Sequence, residues 1–155
     1  MTKTNVMRLL TQEKINYIVK DYTDSKAVSA EEVAKALGED EKTVFKTLVT
    51  IGKSRDHYVF VIPAFGELNL KKAAKACGEK NIEMITQKEL LPLTGYVHGG
   101  CSPIGMKKKF STFVDISALD YEQVFVSGGK IGLQVGLNPK DLVKAASVTF
   151  VSLID

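Results

Sequence analysis

The residues of this chain best suited to chemistry fall in three short stretches. The first is a glycine-rich run, Gly99-Gly100-Cys101-Ser102-Pro103-Ile104-Gly105. Two adjacent glycines let the main chain approach a ligand closely or adopt a positive φ, and Pro103 stiffens the residues after it. Such a loop can present N–H groups to an oxyanion or a phosphate, although an isolated glycine pair is also an ordinary tight turn. It is not a Walker loop, because no Gly-Lys-Ser/Thr closes it, and Gly128-Gly129-Lys130 fails the same test because Ile131 follows the lysine. The second stretch is Val44-Phe45-Lys46-Thr47-Leu48-Val49, where strand alternation puts Lys46 on the face of Val44 and Leu48. A cation there is costly unless it is paired, lines a cleft, or snorkels past an edge. Aimed into a cavity, the Lys46 ammonium could bind an anion or polarise a carbonyl. Tyr22, at the end of an early strand, could add a hydroxyl. The third stretch, Lys107-Lys108-Lys109, follows the glycine loop directly. A lysine run is solvated by default, and beside a ligand loop it suits attraction of a phosphate backbone.

Other arrangements carry less. His98 and Cys101 suggest a base and a nucleophile, but no third group is identifiable to orient them. No spacing of His, Cys and carboxylates resembles a zinc site, so neither a metal nor a cofactor is expected. The chain has 155 residues, 45% hydrophobic and 25% charged, with a net charge of +3. That predicts one domain over residues 1–155, able to bury roughly 70% of its unfolded surface, and excludes a collagen-like, coiled-coil or disordered chain. Two cysteines without a C-x-x-C spacing point to a reducing compartment, and no apolar stretch approaches the roughly 18–20 residues of a membrane span. With no continuous apolar run at residues 1–16 either, a cytoplasmic location is expected. Only Arg8 and Arg55 among the 21 cations are arginines, which favours diffuse attraction to a nucleic-acid backbone over reading of base edges.

These groups must be positioned by elements that the sequence partly announces. Helices are expected at 2–14, after the capping box Ser29-Ala30-Glu31-Glu32 and closed by Gly38, at 70–77 between Asn69 and Gly78, after a second box at Thr86–Glu89, and at 139–146 behind Asn138. Strands are expected at 16–22, 44–52, 57–62, 82–85, 112–116, 123–127, 130–137 and 148–153, with a hairpin turn at 53–56. No regular β-α-β alternation appears. The expectation is an α+β fold, a mixed, mostly antiparallel sheet of about seven strands, partly closed, with helices around it.

The blocks Val44-Phe45-Lys46-Thr47-Leu48, Gly99 through Lys108, and Val126-Ser127-Gly128-Gly129-Lys130-Ile131-Gly132-Leu133 resemble, in order and spacing, the signatures of the YbaK/EbsC family. That family comprises free-standing aminoacyl-tRNA deacylases, typically acting on Cys-tRNA(Pro), and is similar to the editing domain of bacterial prolyl-tRNA synthetases. The resemblance implies a sheet curled into a pseudo-barrel. It implies catalytic roles for Lys46, Gly99 and Gly100, with loop amides stabilising an oxyanion, and substrate contacts by Tyr22, Thr47, Ser102, Pro103, Ser127 and Gly128. Lys107, Lys108 and Lys109 would meet the tRNA backbone. The implied substrate is mischarged tRNA(Pro), with prolyl-tRNA synthetase as a partner and without membrane or metal. The chain departs from the pattern at Ser29, Gln134 and Cys101. Two alternatives stand beside this reading: a deacylase of Ala-tRNA(Pro) or another small aminoacyl-tRNA, and a non-catalytic aminoacyl-tRNA or nucleotide binder.

Overall fold

The computed structural model describes residues 3–155. The helix expected at 2–14 is shorter, α1 Asn5–Gln12, and position 2 lies outside the described residues. Thr4 caps it, accepting from the Met7 N–H and donating its own hydroxyl to the Gly128 C=O at 2.7 Å. The remaining elements are β1 Tyr17–Asp21, α2 Ala30–Leu37, β2 Phe45–Gly52, β3 His57–Pro63, α3 Leu70–Cys77, β4 Ile82–Met84, α4 Gln87–Thr94, β5 Ser111–Asp115, β6 Val124–Ser127, β7 Leu133–Leu137, α5 Asp141–Ala146 and β8 Val148–Val151. Both expected capping boxes form, and Gly38 and Gly78 end their helices in the left-handed region where a side chain is disfavoured.

The expected single curled sheet is instead two sheets, of order β1-β7-β6 and β4-β2-β3-β5-β8, eight strands in all. Four strand pairs are antiparallel; β3–β5 and β5–β8 are parallel. Among the described residues no barrel closes, because strand pairing between the two sheets is limited to one isolated parallel bridge, Val44 to Phe125. The strand expected at 130–137 begins only at Leu133: Gly132 takes a positive φ and lies so close to Thr23 that a Cβ would come within 2.8 Å of it. Its hydrogen bonds also go to a turn, with Tyr22 N–H donating to the Gly132 C=O at 2.8 Å.

The largest core cluster lies between the sheets and joins Met7 and Leu10 of α1 to Phe45, Val61, Val126, Val135 and Leu142. A second packs Ala73 and Ala74 of α3 on Phe60 and Ile62. A third places Val33, Ala34 and Leu37 of α2 over Val44 and Phe125, beside the junction of the two sheets.

Candidate active site

The junction leaves an opening. β4 pairs with β2 only at Thr50–Gly52, and the Val44–Phe125 bridge lies at the strand's other end, so the stretch between them has no strand on its outer side. A cleft of about 440 Å³ runs along this stretch. Residues 44–49 form one wall, residues 84–87 with Leu90 a second, and Gly99 and Cys101 a third, while Ser127 and Gln134 close it from the smaller sheet. Gln134 lies directly across from Lys20 on one side and Ser127 on the other, and residues paired across antiparallel strands share a face.

Lys46 lines this cleft, half-buried, and stands opposite Ile62 in the β2–β3 ladder. Among the described residues the one ion pair is Lys20 with Glu39 at 3.9 Å, so the Lys46 ammonium has no carboxylate partner. None of the residues lining the cleft is acidic. Thr47 Oγ1 and Gln134 Oε1, both on lining residues, are enclosed without a hydrogen-bond partner.

The glycine loop is held from behind. Gly100 is buried with its Cα against the 130–131 turn, where a Cβ would sit 2.9 Å from the Ile131 nitrogen. Tyr96 Oη donates to the Ile104 C=O, bracing the loop's far end, and burial pushes that phenol up to about 12. The expected pair of donors changes here: Gly100 N–H is already given to the Val97 C=O at 3.0 Å. The N–H groups of Gly99 and Cys101, both lining residues, have no partner among the described residues, so these two are free for an oxyanion. Burial also pushes the Cys101 thiol up to about 11, which keeps it protonated and non-nucleophilic at neutral pH.

Of the residues singled out from sequence, Lys46, Thr47, Gly99 and Ser127 meet in the cleft. Tyr22 stands behind it, its hydroxyl 3.5 Å from Gln134 Nε2. Ser102 is buried and accepts from the Ile104 N–H at 3.2 Å, and Gly128 is buried behind the wall, bonded to Leu133 and Thr4. Pro103, Lys108 and Lys109 line a separate cavity of about 460 Å³, and Lys107 is exposed. The sequence marked Gln134 only as a departure from the family pattern, not as a residue of the site, and gave no sign of the wall at residues 84–87. The signal for Gln134 was its place across the hairpin from Ser127, readable only with the correct register.

An α+β body of two such sheets is a fold with solved members. A crystal structure described as that of a proposed trans-editing enzyme for prolyl-tRNA synthetase shares the fold, with a TM-score of 0.83, 23% identity and 99% of each chain covered. Residues 24–145 match the aminoacyl-tRNA editing domain, and the chain belongs to that family. It is 44% identical over 152 residues, 97% of this chain and 93% of the relative, to EbsC of Enterococcus faecalis, named as a proposed Cys-tRNA(Pro)/Cys-tRNA(Cys) deacylase. It is 30% identical over 121 residues to the proline–tRNA ligase of Thermodesulfovibrio yellowstonii, a match spanning 77% of this chain and 20% of the ligase.

Proposed function

We propose that the chain is an aminoacyl-tRNA hydrolase that removes cysteine from mischarged Cys-tRNA(Pro), acting in trans as one editing domain over residues 1–155. The observation that carries this reading is the meeting of an unpaired lysine and two free loop N–H groups around one small cleft without an acidic lining residue. Family membership and the EbsC relative support the substrate class. A synthetase pocket rejects an amino acid of similar or smaller size poorly, so a second site must destroy the error.

The esterified amino acid occupies the cleft with its carbonyl toward the loop. As the tetrahedral intermediate forms, the N–H groups of Gly99 and Cys101 stabilise its oxyanion. The Lys46 ammonium orients the carbonyl or the terminal nucleotide. No protein nucleophile is needed. The substrate's own thiol attacks the ester carbon, the bond to the 3′ oxygen breaks with the thiol proton ending on the released 3′ hydroxyl, and cysteine leaves as its cyclic thiolactone, which water then opens to the free amino acid. Lys107, Lys108 and Lys109 draw in the tRNA backbone weakly, with affinity falling as salt rises. Prolyl-tRNA synthetase, holding the tRNA, supplies the selection of tRNA(Pro), and work beside that synthetase puts the chain in the cytoplasm. Among the described residues no helix is long and apolar enough to cross a membrane.

The test is incubation of the purified chain with Cys-tRNA(Pro), Ala-tRNA(Pro) and Pro-tRNA(Pro). The cysteinyl ester should be cleaved fastest and the prolyl ester spared. Faster cleavage of the alanyl ester would reassign the substrate, and binding without turnover of all three would make the chain a binding module.

A further inference from the structure

The open stretch of β2 carries main-chain groups that no strand uses. Four hydrogen bonds reveal which way its residues point. Gly52 N–H donates to the Asp56 C=O at 2.9 Å and the Val44 C=O accepts from Ala64 N–H at 2.8 Å, both on the β3 side. The Val49 C=O accepts from Ile85 N–H and Lys53 N–H donates to the Asn81 C=O, each at 3.3 Å, both on the β4 side. The β2–β3 register runs unbroken from Phe45 to Ile51, so the direction alternates strictly, with even-numbered residues facing β3 and odd-numbered ones facing outward. β4 takes up Ile51, and Val44 bridges to Phe125 at the other end. Thr47 is left between them, its N–H and C=O directed along the open edge into the cleft it lines.

We infer that Thr47 reads the aminoacyl group through its main chain, its C=O accepting from the substrate's α-amino group and its N–H donating to the ester carbonyl, as a neighbouring strand residue would. This rests on the ester-hydrolase reading above. It differs from a side-chain contact at Thr47, because the groups that act are those every residue possesses. The carbonyl oxygen has a second lone pair for the loop amides. With no acidic residue in the lining, an amine must turn to neutral acceptors, and the Thr47 C=O is the main-chain one beside Thr47 Oγ1 and Gln134 Oε1, of which Thr47→Val removes the hydroxyl alone. A peptide strand is the wrong occupant: the open stretch spans five residues, about 16 Å, and Thr47 at its centre offers a pairing site for one residue. Because the α-amino group and the ester carbonyl are common to all aminoacyl esters, this contact does not select among them; selection falls to the apolar walls, by side-chain volume, and to the substrate thiol.

The test uses a stable amide-linked cysteinyl-adenosine and its desamino counterpart, titrated calorimetrically against wild type, Thr47→Val and Thr47→Pro. Proline removes an N–H that the ladder does not use and is tolerated at such edge positions, so circular dichroism should show the fold retained. Loss of one hydrogen bond involving a charged group should weaken wild-type binding of the desamino compound about tenfold or more. Thr47→Pro should bind the cysteinyl compound at least about tenfold more weakly than Thr47→Val, which keeps both main-chain groups. Equal wild-type affinity for the two compounds overturns the inference, as does a folded Thr47→Pro that binds like Thr47→Val. If the proline variant does not fold, the wild-type comparison decides alone. Wild-type deacylation is measured in parallel: an active enzyme blind to the amine sinks this inference only, whereas inactivity on every charged tRNA sinks the reading beneath it.

Discussion

A lysine inside an apolar strand is visible in sequence because it is expensive there, and the structure shows where the expense is relieved: Lys46 borders water in a cleft and is bonded to no acid among the described residues. Its removal therefore strands no buried countercharge, and Phe60 and Ile62 keep the packing on that face of the sheet. Lys46→Ala should leave the circular dichroism spectrum and melting temperature near wild type while deacylation of Cys-tRNA(Pro) falls at least about a hundredfold, or 2.7 kcal/mol. The thiol of Cys101, held protonated by burial, predicts the opposite pattern. Cys101→Ser keeps the main-chain donor and should lose less than about tenfold in kcat/KM, whereas a loss beyond about a hundredfold would restore a protein nucleophile. Gln134 was visible in sequence only as a departure from the family pattern; its place in the cleft follows from the pairing that lines it up with Lys20 and Ser127.

At the level of elements, the glycine loop works because other segments hold it. Gly100 contributes closeness rather than a donor: its Cα lies against the Lys130–Ile131 main chain, which cannot yield as a flexible side chain would. Gly100→Ala should cost about 1–3 kcal/mol of stability in urea unfolding through overpacking. It should also lower kcat/KM, because Gly99 and Cys101 on either side move with it. A stable, fully active variant would show that the loop is not braced by this contact. Capping boxes, helix-ending glycines and the β2–β3 hairpin were legible because they depend on neighbours a few residues away. The late start of β7 was not, since it depends on Gly132 meeting Thr23, more than a hundred positions earlier in the chain.

At the scale of the whole molecule, the core between the sheets and the cleft beside it are coupled through Tyr96 and Cys101, both attached to the main cluster. Burial raises both groups, from 10.0 to about 12 for the phenol and from 9.0 to about 11 for the thiol, so each favours the folded state in its protonated form. The stability they lend is complete below about pH 9 and is lost as the pH rises through their folded-state values; for the thiol it is on the order of 2–3 kcal/mol. The urea midpoint should fall as the pH is raised above about 9, and less steeply in Cys101→Ser. A midpoint indifferent to alkali would contradict their burial. The sequence by itself determined the fold class, most helices and strands, the anomalous lysine and the family, because composition, periodicity, caps and the order of short motifs are properties of the chain read along its length. Only the tertiary structure decided that the strands part into two sheets, that Gly99 and Cys101 rather than Gly100 have free N–H groups, and that Thr47 faces the opening. Which main-chain groups remain unpaired depends on strand partners and turns brought together from distant segments, and no local pattern encodes that pairing.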